Sequence, residues 1–208
     1  MSGSDSVGMV RTPKRTGVLG GTFDPVHNGH IAVASLALTA LDLDEVLFVP
    51  AADPYLRSAP WASVGHRCEM VKLAIAGCEK FLLSTVDAVR TGHTYTLDTL
   101  TDLKSRIDTD TELVLLLGAD SALSFDQWQN PTAILELANL AVFSRPGEID
   151  AASLPEDHPA RSAVYVDELG VDISATEIRA RLRDGKPTTD LLPEIVIGYI
   201  RQNSLYRE

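Results

Sequence analysis

Cysteine is nearly absent: Cys68 and Cys78 are the only two in 208 residues. If the segment between them is mostly helix, ten residues at 1.5 Å each set them about 15 Å apart. That is too far for a bridge, so a disulfide-stapled scaffold is excluded. The first fifteen residues are rich in Ser, Gly and charge and lack an apolar signal core, so a flexible tail at 1–15 in a reducing cytoplasm is expected. No stretch approaches the roughly 18 uncharged apolar residues of a membrane helix. Positive charge is scarce as well: 18 Lys and Arg stand against 29 Asp and Glu, for a net charge of −11. Such a chain is a poor non-specific partner for nucleic acid or an anionic membrane, and any anionic ligand must meet a local concentration of positive groups. There is no G-x-G-x-x-G and no glycine-rich turn ending in Lys, which argues against dinucleotide-dependent dehydrogenases and P-loop ATPases.

What is present is an alternation of apolar strand runs and helices. Strands are expected at Thr16–Gly20, Glu45–Val49, Phe81–Ser84, Glu112–Leu117, Leu140–Ser144 and Ala163–Val166. Helices are expected at Gly29–Leu41, Val64–Ala76, Tyr95–Ile107, Thr132–Ala138, Ala175–Asp184 and Pro193–Asn203. Gly147–Ala160 is acidic and proline-containing and reads as a surface loop. The pattern predicts an α/β fold: a doubly wound, Rossmann-like parallel sheet of about five to six strands with helices on both faces. Residues 16–206 are expected to form a single domain. Ligands of such sheets bind beyond the carboxyl ends of the strands, near the point where strand order reverses.

The residues that follow the strands carry the chemistry. After the first strand comes Gly20-Gly21-Thr22-Phe23-Asp24-Pro25-Val26-His27-Asn28-Gly29-His30. Glycines allow a sharp turn and close backbone approach, and the helix that opens next presents free N–H groups and a positive dipole end to phosphate. Two imidazoles stand at that helix start; a metal site is disfavoured because no third ligand lies nearby. A second helix opens on Ser174-Ala175-Thr176-Glu177-Ile178-Arg179. Ser174 and Glu177 have capping-box spacing, while the hydroxyls of Ser174 and Thr176 and the Arg179 guanidinium suit phosphate.

Together these segments resemble the nucleotidyltransferase superfamily that carries a histidine-x-glycine-histidine motif near its start and a serine/threonine turn before a late helix. Within it the chain is similar to the bacterial nicotinate mononucleotide adenylyltransferase family, from about Thr16 to Tyr206. Three internal segments carry that choice: Arg90 to Leu100 around Tyr95-Thr96, Gly118-Ala119-Asp120 followed by Phe125 and Trp128, and Phe143-Ser144-Arg145-Pro146-Gly147. The chain departs from the family in having Pro54-Tyr55-Leu56-Arg57 where Pro-Pro-His-Lys is common, and Ser-Ala-Thr where Ser-Ser-Thr is usual.

The resemblance implies an adenylyltransferase that joins nicotinate mononucleotide to the AMP part of ATP and releases pyrophosphate, a step of NAD biosynthesis. His27, His30 and Arg179 would be catalytic. Gly20, Gly21, Thr22, Phe23, Arg57, Gly118, Asp120, Arg145, Ser174 and Thr176 would bind ATP and its phosphates. Asp24, Tyr95, Thr96 and Trp128 would bind the mononucleotide, Trp128 by stacking on the pyridine ring. Mg²⁺ would ride on ATP oxygens and water, with no protein cage. Nicotinamide mononucleotide or phosphopantetheine as acceptor, or a non-catalytic nucleotide-sensing module on the same fold, are the alternatives. A homo-oligomer is compatible with all of them.

Overall fold

A computed structural model of the chain describes residues 13–54, 59–170 and 172–207. Residues 1–12 of the expected tail lie outside them, and Arg15 already belongs to the first strand. The strands are β1 (Arg15–Gly21), β2 (Glu45–Pro50), β3 (Phe81–Leu83), β4 (Glu112–Gly118), β5 (Asn139–Phe143) and β6 (Val164–Val166). The helices are α1 (Asn28–Ala40), α2 (Val64–Ile75), α3 (Thr96–Lys104), α4 (Ala119–Leu123), α5 (Pro131–Leu137), α6 (Ala175–Arg183) and α7 (Glu194–Gln202).

The described strands make one sheet in the order β3-β2-β1-β4-β5-β6, every neighbouring pair parallel. β1 is central. The chain moves outward from it through β2 and β3, then returns to β4 on its other side and continues to β6. Strand order therefore reverses between β1 and β4, and their carboxyl ends flank the crevice such a reversal opens.

Strand alternation sorts the core into two layers. Leu113, Leu115 and Leu117 point to one face with Val18, Leu140 and Val142, under Leu100 and Leu103 of α3, Ala122 of α4 and Ile134 of α5. Val114 and Leu116 point to the other with Leu19, Ala141 and Phe143, under Ala34 and Ala37 of α1, Met70 and Val71 of α2, Ile178 of α6, and Val196 and Ile200 of α7. The unbroken apolar run of β4 reads as a strand buried on both faces because it is one.

Some boundaries differ from the sequence expectation. α3 begins at Thr96 rather than Tyr95, which caps it from an extended conformation, and it ends at Lys104, short of Ile107. The acidic stretch 147–160 contains a short 3₁₀ turn at Ala151–Ser153 and the start of another at Pro159–Ser162. The one-and-a-half-turn α4 and the 3₁₀ turn Phe125–Gln127 after it were not visible as periodicity, because five residues are too few to show a 3.6-residue repeat.

Glycine at position 17 is a packing requirement. A Cβ there would lie 2.8 Å from Leu43 Cδ1 and 3.2 Å from both Leu116 Cδ1 and Val46 Cγ2. Gly17→Ala is expected to destabilise the protein by about 1–3 kcal/mol through overpacking, as measured by urea unfolding. A variant as stable as the parent would show that this layer repacks freely.

Candidate active site

The segment that leaves β1 folds into a tight turn whose centre is Phe23, with φ of 50° and 1% exposure. A left-handed backbone at a large non-glycine residue costs of the order of 1 kcal/mol or more and persists only where its surroundings enforce it. Gly21 makes room for the ring: a Cβ there would sit 3.2 Å from Phe23 Cζ. Gly20 differs, being exposed with no atom within 4 Å of a built Cβ, and the same holds for Gly118 at the end of β4. Both face open space at the strand-order reversal, where glycine leaves room for a ligand.

His27 caps α1 from an extended conformation and His30 occupies its first turn. The rings stack with centroids 3.7 Å apart, and Phe23 meets His30 edge-on at 4.8 Å. The His27 amide donates to His30 Nδ1 at 3.2 Å. A nitrogen that accepts holds no proton, so in neutral His30 the proton sits on Nε2, which becomes the donor. His27 Nδ1 faces the His30 amide, but that N–H goes to the His27 carbonyl at 2.9 Å and Nδ1 has no hydrogen-bond partner. Gly29 permits this stack, since a Cβ would lie 3.0 Å from His27 Nδ1. The Thr22 hydroxyl is a second buried polar atom without a partner. Orphaned polar groups cost free energy unless something satisfies them, and these two lie in the turn that leads into α1.

The second helix N-terminus lies beside the first. Ile173 Cβ is 3.5 Å from a built Cβ on Gly29. The Arg179 guanidinium donates to the Asp24 carbonyl at 2.8 Å and to Thr176 Oγ1 at 3.2 Å. The expected capping box does not form: Ser174 makes no side-chain cap, and Glu177 pairs with Arg181 at 2.6 Å instead. The Ser174 hydroxyl is thus uncommitted by capping, and the Glu177 charge is answered within α6.

Other sequence-selected residues are placed as follows. Asp120 is exposed in the first turn of α4, just past Gly118. Tyr95 and Thr96 open α3, and their approach is pinned to the loop after β2: Thr94 N–H donates to Asp53 O at 2.8 Å, and His93 meets the Asp53 carboxylate at 3.0 Å. Trp128 is half-buried, 5.2 Å from the Phe125 ring, and packs on the same core layer as Leu97 of α3. Arg145 binds Glu148 at 2.8 Å and also Asp172, so its guanidinium is already held by two carboxylates, which keep its pKa above the usual arginine value. A phosphate role for Arg145 therefore requires that it exchange a carboxylate. Asp24, expected at the mononucleotide, is 4% exposed, and both its oxygens accept internal bonds: Oδ2 from Trp61 N–H at 2.7 Å, Oδ1 from Ala62 N–H at 3.1 Å and Tyr206 O–H at 2.7 Å. The side chain is thus structural. Arg57 lies outside the described residues.

Two buried groups escaped the sequence reading. Arg67 of α2 is 1% exposed and donates to the carbonyls of Thr22, Ala51, Ala52 and Ala62 at 2.6–3.1 Å. Its signal was a cation on the apolar stripe that Met70 and Val71 continue. Asp87 is 3% exposed and takes the Thr99 hydroxyl on both oxygens at 2.7 and 2.9 Å, tying the segment before Tyr95 to α3, while burial raises its pKa.

The described strands form an all-parallel, doubly wound sheet whose glycine turn and helix starts gather at the carboxyl ends, where such folds bind ligands. The cytidylyltransferase-like family model matches residues 18–181, and the chain belongs to that family. A Herpetosiphon aurantiacus protein named "Probable nicotinate-nucleotide adenylyltransferase" is 38% identical over 93% of this chain and 98% of its own. A Thermomicrobium roseum protein of the same name is 40% identical over 93% of this chain and 92% of its own. Among solved structures, Plasmodium falciparum nicotinic acid mononucleotide adenylyltransferase complexed with NaAD shares the fold, with a TM-score of 0.76 at 19% identity over 93% of this chain and 97% of that one.

Burial lowers the His27 pKa from 6.5 to about 4, so the ring is neutral near pH 7. Between those two values the unfolded chain binds the extra proton and the folded chain does not. Stability due to this site is full above about pH 6.5 and is lost as pH falls toward 4, by roughly 3 kcal/mol in total. The loss should be smaller in His27→Gln than in the parent, as measured by urea unfolding at several pH values across that window. Parallel curves would mean the ring is not buried as described.

Proposed function

We propose that the chain is a nicotinate-nucleotide adenylyltransferase, transferring the AMP part of ATP to nicotinate mononucleotide. The observation that carries this reading is the convergence of two helix N-termini, with His27, His30 and Arg179, on one turn beside the open glycines of β1 and β4. The names of relatives matched along nearly their whole length select the acceptor.

A phosphate oxygen of the mononucleotide attacks the α-phosphorus of ATP. The new P–O bond forms as the bond to the bridging oxygen of the β-phosphate breaks, and pyrophosphate leaves. The nucleophile is already an anion, so no general base is required. The protein's work is alignment, worth up to ~7–11 kcal/mol, and charge stabilisation. His30 Nε2–H and the α1 amides face the α-phosphate and the developing charge on the leaving oxygen. The α6 amides, Ser174, Thr176 and Arg179 hold the β- and γ-phosphates. Gly20, Gly21, Thr22, Phe23 and Gly118 shape the floor, and Asp120 meets ribose hydroxyls. Trp128 stacks on the pyridine, with Thr96 and the amides around Tyr95 at its carboxylate.

No group of three metal-ligating side chains occurs among the described residues. The donors at the site are amides, imidazoles, hydroxyls and a guanidinium, a set suited to anions and not to a hard cation. Mg²⁺ fits here as a companion of ATP: phosphate oxygens and water would hold it, and it would neutralise triphosphate charge.

His30→Ala should reduce turnover about 10²–10³-fold, the effect of removing one aimed donor, with little change in thermal stability. The assay is pyrophosphate release with ATP, Mg²⁺ and nicotinate mononucleotide, with nicotinamide mononucleotide and phosphopantetheine as competing acceptors. Near-normal turnover of His30→Ala, or preference for another acceptor, overturns this reading. Trp128→Ala should raise KM for the mononucleotide at least tenfold and leave KM for ATP nearly unchanged; equal losses would remove the stacking role.

A further inference from the structure

The turn that carries the histidines is held from a distant part of the chain. Beyond α7 the backbone passes through two left-handed residues that are not glycine, Ser204 at φ 52° and Tyr206 at φ 62°. They turn the Tyr206 ring inward until it is 6% exposed and its hydroxyl donates to Asp24 Oδ1 at 2.7 Å. Asp24 is one residue past the strained Phe23 and three before His27. Its carboxylate also gathers the Trp61 and Ala62 amides, and its carbonyl receives Arg179. Arg67, alongside, takes the Thr22 carbonyl on the other side of Phe23. Phe23 is thereby gripped at Thr22 by Arg67 and at Asp24 by Tyr206 and Arg179.

From this geometry we infer that Tyr206 is a positioning residue, a C-terminal latch that sets the phosphate-binding turn through Asp24. The inference rests on the adenylyl-transfer reading for its kinetic consequence, though not for its structural one. Tyr206 is buried on the protein side of Asp24 and acts through it. Burial and the neighbouring carboxylate raise the phenol's pKa, so its hydroxyl stays protonated and donates at every working pH. Removing that one donor leaves Asp24 Oδ1 with the Ala62 amide alone, and the segment from Thr22 to His27 gains freedom while the sheet beneath it keeps its packing. Alignment of the in-line attack tolerates little such freedom, since a displacement of about 1 Å can cost on the order of 100-fold in rate. The substrates still find their pockets, so kcat should fall more than either KM.

Tyr206→Phe keeps the ring and removes the hydroxyl. Its kcat is expected to fall at least tenfold, well below the melting temperature, with KM for the mononucleotide within twofold of the parent. Ile134→Val, a trimmed side chain in the opposite core layer, is the control for lost stability as such and should keep the parent's kcat. Amide hydrogen exchange supplies a readout that needs no reaction: the Trp61 and Ala62 amides and the Phe23–His30 segment should exchange at least tenfold faster in Tyr206→Phe and at the parent's rate in Ile134→Val. If the parent releases pyrophosphate but Tyr206→Phe matches it in kcat, or if both variants lose kcat alike, the latch is wrong. If the parent does not release pyrophosphate, the functional reading fails and the exchange data still decide the latch. Unchanged exchange at residues 22–30 and 61–62 overturns it in every case.

Discussion

A carboxylate enclosed by protein must be given hydrogen-bond donors, and a guanidinium must be given acceptors. Asp24 and Arg67 meet those demands in a way that fixes much of the molecule. Asp24 collects two amides and a phenol, and Arg67 takes four carbonyls. The groups they collect come from the turn after β1, the loop after β2, the segment leading into α2, and the C-terminus. Each of these segments would otherwise be a loop with its own freedom. Because the charged groups cannot be left unsatisfied, the loops are constrained jointly, and the helix start bearing His27 and His30 inherits that constraint.

The same economy of charge bears on how, on the proposed reading, an acidic protein can hold a triphosphate. With a net charge of −11, a dense patch of Lys and Arg was never available to it. On that reading the site is assembled mostly from dipoles: the amides at the starts of α1 and α6, the imidazoles of His27 and His30 and a few hydroxyls. Arg179 adds a full charge, and the nearest carboxylates are occupied. Glu177 is held by Arg181 along α6, and the Asp24 oxygens are turned to internal donors. Preorganised dipoles aimed at a developing charge need no reorganisation as it forms.

The parts of this arrangement that were legible in the sequence share a property: they are local. The alternation of Val18 and Leu19, or of Leu113 through Leu117, reports burial on two faces of a sheet, and the glycine-rich turn before His27 reports a strand-to-helix transition at once. The convergence of the two helix starts could be expected because both follow strands in a parallel sheet. Asp24 stands inside the recognisable motif, where adjacency suggests ligand contact, but adjacency does not show the partners of its buried carboxylate, which are 37, 38 and 182 positions away. Ser174 and Glu177 had the spacing of a capping box, but spacing does not reveal that Arg181, one turn further along, holds the carboxylate. Arg67 and Tyr206 carry no motif; their importance is a product of long-range packing.

That distinction bears on how the histidines work. Burial keeps His27 largely uncharged, and its Nδ1 and the Thr22 hydroxyl make no hydrogen bond to another protein group. On the proposed reading, phosphate oxygens and water supply partners to these atoms when ATP binds. An arriving triphosphate favours protonation of an imidazole beside it, so charge on His27 would be acquired with substrate and need not be carried beforehand. A free chain bearing fixed positive charge there would attract its own carboxylates, as Arg145 has attracted Glu148 and Asp172. On the proposed reading, an uncharged His27 ring avoids that competition until the triphosphate arrives, and the Asp24 and Arg67 network behind the turn supplies rigidity.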